Sequence, residues 1–343
     1  MNYIWNLKDL EKISKNGYKV FSCFSCGGGS SMGYKLAGYE VIGNCEIDNK
    51  INEMYLKNFT PKHNYNMPIQ EMINQKEFPE ELYNLDILDG SPPCSTFSMA
   101  GQREKNWGKK KQFREGQAKQ VLDDLFFDYI RLAERLNPKI IVAENVSGLI
   151  KGNAKGYVNM IIKRLNSIGY NVQLFLLNAA NMGVPQRRER VFFIATRKDL
   201  NLPKIKLKFN EKPITYGEFA DTEYKQFNVD TMYYKRWHKR ICSDNSVGDT
   251  IKRTENGKIS CFNASYFKLE KTPPTITANG QMTRYDKPGT LSSRDIKIIS
   301  TFPQDYNFNG QDVQYVCGMS VPPIMMYKIA EQIKKQLLEK IND

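Results

Sequence analysis

The sequence predicts an α/β protein built on a doubly wound, largely parallel sheet, with a second and smaller domain. Two patterns lead to this prediction. Short apolar runs typical of buried parallel strands alternate with amphipathic helices, and the first such run leads into a glycine-rich turn. With 343 residues, of which 41% are hydrophobic, the chain can form one large and one small domain. We expect a main domain over 1–197, a small domain over 198–270, and a C-terminal segment, 271–343, that returns to the main domain.

The charge of the chain favours a polyanionic partner. It contains 50 Lys and Arg against 37 Asp and Glu, a net charge of +13. Such an excess favours a nucleic acid or an anionic membrane, and a lysine-rich surface without a partner is the alternative. We find no membrane-spanning apolar run and no signal-peptide pattern, and therefore expect a cytoplasmic protein without a membrane partner. Seven scattered cysteines indicate reduced thiols.

The N-terminal elements predict a nucleoside site. A polar helix is expected over 6–16, a buried strand over 18–24 and a second strand over 41–45. The first strand leads into Cys26-Gly27-Gly28-Gly29 and a helix, and the second ends at Glu46-Ile47-Asp48. In sheets of this kind, the acidic residue after the second strand lies near ribose hydroxyls.

The glycine-rich turn indicates which nucleoside is bound. It lacks the G-x-G-x-x-G spacing of dinucleotide sites, which weakens a hydride-transfer hypothesis. Three consecutive glycines let the backbone approach a ligand closely, and the helix N-terminus behind them favours a carboxylate. A nucleoside that carries an amino acid, S-adenosylmethionine, fits this pattern better than a pyrophosphate.

A cysteine held by two prolines follows the next predicted strand, which ends at Asp89-Gly90. The prolines restrict the backbone, so Cys94 has a defined direction just beyond a strand end, where ligands bind in such sheets. A buried, inert cysteine is the alternative. The segment 99–119 then carries seven basic and two acidic residues between glycines. It favours either a lid that closes over phosphates or a solvated loop.

Two further reactive positions lie at predicted strand ends. A strand over 139–143 places Glu144 at its tip, and residues 186–190, Gln-Arg-Arg-Glu-Arg, lie between the last two strands. In the small domain, the aromatic and basic cluster 233–240 favours contact with an anionic polymer or a solvated surface helix. The remaining elements expected are helices over 118–136, 153–168 and 322–340 and strands over 172–178 and 191–196.

A thiol, a carboxyl group and arginines beside an S-adenosylmethionine pocket suggest a reaction. Carbon 5 of cytosine becomes nucleophilic when a thiolate adds to carbon 6. A carboxyl group at N3 and an arginine at O2 would stabilise the charge that develops, and nearby positive charge would favour the Cys94 thiolate.

The sequence resembles the DNA (cytosine-5) methyltransferases of bacteria and phages over about residues 18–330. The matching motifs occur in the family's order: Phe24 with Gly28-Gly29, Glu46-Ile47-Asp48, Pro92-Pro93-Cys94, Leu125-Phe126, Glu144-Asn145-Val146, Gln186-Arg187-Arg188-Glu189-Arg190, Leu291-Ser292-Ser293-Arg294-Asp295 and Gly318-Met319-Ser320-Val321-Pro322. The resemblance implies a Rossmann-like, S-adenosylmethionine-dependent methyltransferase sheet with a small target-recognition domain over 198–270.

The resemblance also implies residue roles. Cys94 would be the nucleophile and Glu144 the partner of N3, with Arg188 and Arg190 as further catalytic residues and Arg190 nearest O2. The cofactor residues would be Phe24, Gly27, Gly28, Gly29, Glu46, Ile47, Pro92, Leu125, Ser320 and Val321. With the basic clusters, it predicts DNA contacts by Ser95, Ser98, Arg103, Lys109, Lys110, Lys111, Gln186, Arg236, Lys239 and Arg240. No metal is expected.

We therefore predict a bacterial or phage-encoded monomer that methylates cytosine C5 in a specific double-stranded DNA sequence after flipping the base. A cognate restriction endonuclease would act separately. A tRNA cytosine-5 methyltransferase and a non-catalytic DNA-binding protein are the alternatives. The sequence departs from the family pattern at Ser22, Cys26, Ser95 and Met319, and residues 66–69 lack an acidic residue expected at the adenine.

Overall fold

A seven-stranded sheet forms the centre of the molecule, in the order β3-β2-β1-β4-β7-β9-β8. The computed structural model describes residues 2–93, 110–111, 120–121, 124–150, 155–255 and 264–341, with only the backbone at 110–111 and 120–121. The strands are β1 (Lys19–Cys23), β2 (Glu40–Cys45), β3 (His63–Tyr65), β4 (Ile87–Gly90), β5 (Lys110–Lys111), β6 (Gln120–Val121), β7 (Ile140–Val146), β8 (Tyr170–Asn178) and β9 (Glu189–Arg197). The predicted α/β fold is confirmed.

The direction of β9 determines which residues meet at the edge of the sheet. The strands from β3 to β7 in the sheet order pair in parallel, whereas β9 runs antiparallel between β7 and β8. Arg190, near the start of β9, therefore pairs with Val146 at the end of β7. The 186–190 motif thus reaches the same edge as the carboxyl ends of the parallel strands.

Helices cover both faces of this sheet and bury two apolar cores. One face is covered by α1 (Gly29–Leu36), α2 (Asn49–Asn58) and α11 (Pro323–Gln336), and the other by α3 (Ile69–Ile73), α4 (Glu80–Tyr83), α5 (Leu125–Leu136) and α6 (Lys155–Ser167). Helices α1 and α11 approach closely at Gly33, where a Cβ atom would lie 2.5 Å from Cβ of Met326. Among the described residues, no helix combines the length and the apolar character needed to cross a bilayer.

Some predicted boundaries were wrong. The helix expected over 6–16 is a 3₁₀ helix, Leu7–Lys12, because the chain becomes extended at Ile13. The helix expected over 118–136 begins only at Leu125, since Gln120–Val121 pairs with Lys110–Lys111 in a two-stranded ribbon. The last helix, expected to reach 340, ends at Gln336 and is followed by a 3₁₀ turn. Other 3₁₀ turns occupy Ser147–Ile150, Ala179–Met182, Lys198–Leu200 and Tyr216–Glu218.

The region expected to form the small domain shares its sheet with residues beyond 270, where the sequence predicted that it ends. Its sheet has the order β10-β13-β12-β11, formed by β10 (Lys225–Gln226), β11 (Tyr266–Phe267), β12 (Thr283–Arg284) and β13 (Gly289–Thr290). Two of these strands come from the segment expected to belong to the main domain. The sheet is accompanied by α7 (Met232–His238) and α8 (Val247–Glu255), and α9 (Ser293–Ile299) and α10 (Val313–Met319) then lead back to α11.

A buried carboxyl group joins β1, β4 and α1 beneath the edge of the main sheet. Asp89 accepts hydrogen bonds from the Ser22 hydroxyl at 2.9 Å and the Tyr34 hydroxyl at 3.3 Å. Burial raises the pKa of Asp89 to about 7, although these hydroxyl groups oppose the shift. The side chain is thus partly protonated near neutral pH.

The raised pKa of Asp89 predicts a pH-dependent cost to stability. Because its folded-state pKa lies above the ordinary value of 3.8, Asp89 favours folding most below pH 3.8 and becomes less favourable up to about pH 7. We expect Asp89→Asn to increase the free energy of unfolding relative to wild type more at about pH 8 than at about pH 5. Urea titrations at both pH values measure this difference. Asp199→Asn, at an exposed position, is the control, and an Asp89→Asn effect that is the same at both pH values would contradict the prediction.

Candidate active site

A cleft opens at the carboxyl edge of the parallel strands. The residues that line it end or follow β1, β2, β3 and β4 or come from α2, α3, α5 and α10: Phe24, Cys26, Cys45, Glu46, Ile47, Asp48, Ile51, Met67, Pro68, Ile69, Ser91, Pro93, Leu125, Tyr315 and Met319. Four predicted cofactor residues are among them, namely Phe24, Glu46, Ile47 and Leu125. The lining is mostly apolar, with two buried carboxyl groups, those of Glu46 and Asp48.

The turn after β1 holds Glu46 in a fixed position. Phe24 and Cys26 both have left-handed backbone conformations, with φ of 54° and 45°, which non-glycine residues adopt rarely. This geometry directs the Cys26 amide to Oε2 of Glu46 at 2.9 Å, and the Asp48 amide donates to Oε1 at 3.0 Å. Burial raises the pKa of Glu46 although these amides favour the carboxylate.

The three glycines of this turn lie against protein atoms. A Cβ atom would lie 2.5 Å from Cγ1 of Val316 at Gly27, 2.6 Å from the Phe59 ring at Gly28, and 2.0 Å from the Val321 carbonyl oxygen at Gly29. Close packing against α2, α10 and the turn before α11 therefore requires glycine at these three positions. The sequence suggested a different reason, the close approach of a ligand to the backbone.

Six predicted cofactor residues are not among those that line the cleft, namely the three glycines of the turn, Pro92, Ser320 and Val321. Ser320 and Val321 lie behind the glycine-rich turn, where they contact Gly27 and Gly29. The carbonyl group of Pro92 points to β7 and accepts a hydrogen bond from Asn145. Ser320 and Val321 therefore pack against the turn from behind, and Pro92 is bonded to β7.

Glu144 and Arg190 form an ion pair at the same edge. Nε of Arg190 lies 2.9 Å from Oε1 of Glu144, and the two side chains are only 14% and 11% exposed. Glu144 lies within β7 and not beyond its end as predicted, because β9 continues the ladder to Val146. Burial lowers the pKa of Arg190, and the Glu144 carboxylate opposes that shift. The structure thus brings these two predicted catalytic residues together.

Asn145 links this pair to the chain segment that carries the predicted nucleophile. Its Nδ2 donates to the Pro92 carbonyl oxygen at 3.1 Å, and its Oδ1 accepts from the Val146 amide at 2.9 Å. Asn145 is buried. Sequence reasoning assigned it no role of its own, although an amide side chain in a strand that is otherwise apolar, next to Glu144, was a usable signal.

Several predicted residues lie outside the described residues. These are the nucleophile Cys94 and the DNA contacts Ser95, Ser98, Arg103 and Lys109. Lys110 and Lys111 are described only as the backbone of β5. The described chain stops at Pro93, which lines the cleft and immediately precedes Cys94.

The predicted DNA contact Gln186 and the predicted catalytic residue Arg188 lie in the interior. The Gln186 amide donates to the Ile299 carbonyl at 3.0 Å and accepts from the Ile276 amide at 3.1 Å. The Arg188 guanidinium donates to the carbonyl oxygens of Ile276, Gly318 and Ser320 at 2.9–3.1 Å. Alternation along this extended segment turns residues 186 and 188 inwards and leaves 187 and 189 exposed.

Two arginines of the predicted small-domain cluster are engaged within that domain. Arg236 makes two hydrogen bonds to the Glu255 carboxylate, at 2.8 and 3.1 Å. Cζ of Arg240 lies 3.3 Å from the centroid of the Trp237 ring, and Nε of Arg240 donates to the Tyr285 carbonyl oxygen at 2.8 Å. Of the three predicted DNA contacts in this cluster, only Lys239 is exposed. The sequence pattern did not reveal these partners because two of them lie 19 and 45 residues away.

Comparison with known proteins assigns the family. A family model described as C-5 cytosine-specific DNA methylase matches residues 18–335. The chain belongs to this family. The type II methyltransferase M.NgoPII of Neisseria gonorrhoeae is 30% identical, with alignment over 96% of this chain and 99% of the relative. M.Eco47II of Escherichia coli is 33% identical over 97% of this chain and 82% of the relative. The chain is thus a DNA (cytosine-5) methyltransferase.

Solved structures with low sequence identity share the fold. A putative DNA modification methyltransferase encoded within an Escherichia coli prophage superposes with a TM-score of 0.65 at 19% identity, covering 94% of this chain and 100% of the other. A Spodoptera frugiperda DNMT2 mutant gives a TM-score of 0.63 at 17% identity over 95% and 100% of the two chains. These matches agree with the methyltransferase fold predicted from the sequence.

The Asn145 contact predicts a loss of turnover without loss of cofactor binding. Asn145→Asp keeps the acceptor for the Val146 amide but replaces the donor to the Pro92 carbonyl with a second acceptor. We expect kcat to fall about tenfold or more, because the segment leading to Cys94 loses its fixed position, with KM for the cofactor nearly unchanged. Steady-state methylation of DNA measures both constants. The exposed Asn171→Asp on β8 is the control, and wild-type kcat in Asn145→Asp would refute this role.

Proposed function

We propose that this enzyme transfers a methyl group from S-adenosylmethionine to C5 of a cytosine that is flipped out of a specific double-stranded DNA sequence. The reaction would pass through a covalent bond between Sγ of Cys94 and C6 of the base. The observation that carries the proposal is the Glu144–Arg190 pair, which lies at the sheet edge where Asn145 holds the segment leading to Cys94.

The charge distribution of this pair complements the edge of cytosine. As the Cys94 thiolate adds to C6, negative charge develops on N3 and O2 of the ring. Glu144 would take up a proton from solvent as the base enters, donate it at N3 and recover it when the adduct breaks down, while the Arg190 guanidinium would donate hydrogen bonds to O2. After methylation, transfer of the C5 proton to water and expulsion of the Cys94 thiolate from C6 would restore the aromatic ring.

The cleft has the chemistry required for S-adenosylmethionine. The apolar side chains of Phe24, Ile47 and Leu125 would hold the adenine ring. The Glu46 carboxylate, fixed by two backbone amides, retains lone pairs for the ribose hydroxyls. When bound, this group supplies a methyl group on a positively charged sulfur, which makes the methyl carbon electrophilic.

Arg188 and Gln186 would act as positioning residues. Their hydrogen bonds join the start of β9 to Ile276, Ile299 and the turn at Gly318–Ser320. Since Arg190 lies two residues beyond Arg188, this connection fixes the start of the strand that presents Arg190. Neither side chain would contact DNA in this arrangement.

Double-stranded DNA is the proposed substrate, and a monomer the proposed active form. The type II methyltransferases that align over nearly the whole chain support a DNA substrate and a partnership with a separately acting endonuclease. The net charge of +13 is consistent with a polyanion of either kind. tRNA therefore serves as the competing substrate in the test below.

The nucleophile assignment predicts a selective loss of methylation. We expect wild-type protein to form 5-methylcytosine in duplex DNA and Cys94→Ala to form none, while the variant still binds DNA. Transfer of labelled methyl groups and mass analysis of the nucleosides measure the product. Cys242→Ala, which removes an exposed cysteine of the small domain, is the matched control and should keep its activity. Full activity of Cys94→Ala, or a preference for tRNA over duplex DNA, would overturn the proposal.

A further inference from the structure

A second buried carboxyl group lies on the same face of the main sheet as Glu144. Asp89 of β4 pairs with Val142 of β7, and Glu144 lies two residues further along that strand. Side chains at paired positions of parallel strands point to one face, and so do side chains two residues apart. From the usual spacings of strands and residues, the Cα atoms of Asp89 and Glu144 are about 8 Å apart.

Contacts on both strands agree with this shared face. Asp89 accepts a hydrogen bond from Tyr34 of α1, one of the helices that cover this side of the sheet. Glu144 pairs with Phe192 of β9, and both Phe192 and Val142 belong to the same apolar core as α1. Because β4 and β7 are neighbours in the sheet, no strand separates the two carboxyl groups.

The charge of Glu144 acts on Asp89. The other titratable groups that face Asp89 in the described part of the chain come from β1, α1, α2 and α5, and burial raises the pKa of each, so that they are neutral near pH 7: Cys23, Tyr34, Tyr55 and Tyr129. The hydroxyl groups of Ser22 and Ser30 donate to the carboxylate. Burial is the main cause of the raised pKa of Asp89, and the Glu144 charge adds to it. Since interaction between two sites is reciprocal, ionised Asp89 also opposes the ionised form of Glu144.

Glu144 therefore lies between charges that act on its proton in opposite directions. The guanidinium groups of Arg190, at 2.9 Å, and of Arg188 favour the carboxylate. Asp89 on the neighbouring strand favours the carboxylic acid. A group that donates a proton at N3 and later recovers it needs both forms within reach at the working pH, which opposing charges of this kind provide.

We propose that Asp89 is a positioning residue for the proton on Glu144: its carboxylate favours the protonated form of Glu144 and so keeps the acid available in neutral and alkaline solution. This inference rests on the proposed function, in which Glu144 donates that proton to N3 of the flipped cytosine. It assigns a role to a carboxyl group whose burial costs stability.

The pH dependence of the chemical step tests this role. Asp89 is mostly ionised only above about pH 7, so its charge assists Glu144 chiefly there. We expect Asp89→Asn to match the wild-type single-turnover rate of methyl transfer at about pH 6, where both proteins carry a neutral side chain at this position. At about pH 8.5 its rate should be on the order of fivefold lower, the effect of removing one charge about 8 Å away. Single turnovers measure the transfer without product release.

Two further variants separate the charge from the structure. Asp89→Glu keeps a carboxylate and should keep most of the wild-type rate at about pH 8.5. Asp86→Asn makes the same chemical change at the other end of β4, where buried Asp86 is paired with Lys139 at 2.8 Å. This control should lower thermal stability without a pH-dependent loss of rate. The proposal is wrong if Asp89→Asn has no effect, if its loss is the same at every pH, or if Asp86→Asn shows the same pH-dependent loss.

An equilibrium titration measures the coupling without methyl transfer. The carboxyl carbon NMR signal of Asp89, identified by its absence in Asp89→Asn, should titrate in wild type with a midpoint at about pH 7. Glu144→Gln removes the neighbouring charge and should lower that midpoint. Glu189→Gln, at an exposed position of β9, is the matched control and should leave it unchanged. An Asp89 midpoint that is the same in Glu144→Gln as in wild type would overturn the inference.

The two arms also separate this inference from the proposed function. A wild-type protein that forms no 5-methylcytosine in duplex DNA would refute the proposed function, whatever the titration of Asp89 shows. A protein that methylates DNA, but whose pH dependence is unaffected by Asp89→Asn, would refute this inference alone.

Discussion

The arrangement of the active edge depends on one constraint, the antiparallel insertion of β9 between β7 and β8. In a wholly parallel sheet, the residues that open β9 would lie at the amino edge, on the far side from Glu144. Reversing this strand instead pairs Arg190 with Val146 and places its guanidinium 2.9 Å from the Glu144 carboxylate. The main-chain ladder, more than any attraction between the charged groups, therefore brings them together.

An ion pair with so little exposure is a poor way to stabilise a sheet edge. Removing both groups from water costs several kcal/mol per ion, and their attraction returns that only when the geometry is good and other hydrogen bonds are satisfied. A second buried carboxyl group, that of Asp89, adds to the energetic cost of this edge. Burial raises the pKa of Asp89 to about 7. A reaction that moves charge across a base requires polar groups of this kind, concentrated at one edge of an apolar sheet.

The sequence predicted the parts of the fold that depend on local pattern. Strand periodicity located β1, β2, β4, β7 and β9, and the ordered motifs included Glu144 and Arg190, which form an ion pair, and four residues that line the cleft. The sequence did not predict contacts with distant partners. Gln186 and Arg188 are buried, where they form hydrogen bonds with carbonyl and amide groups of residues 276–320, and Arg236 is bonded to Glu255. It also overlooked Asn145, whose importance becomes visible only when Pro92 is placed beside β7.

Polar contacts join β12 of the small sheet to α9 and to residues 216–221, in addition to the chain connections. Buried Arg284 of β12 donates to the Asp286 carboxylate and to the Asp221 carbonyl oxygen, and Asp295 of α9 accepts from the Tyr216 hydroxyl at 2.6 Å. Such a network resists rotation about the linking segments because any movement leaves a buried charge without its partner. Because α9 ends at Ile299, whose carbonyl oxygen accepts a hydrogen bond from Gln186 just before β9, the small sheet is held in a fixed position relative to the strand that carries Arg190.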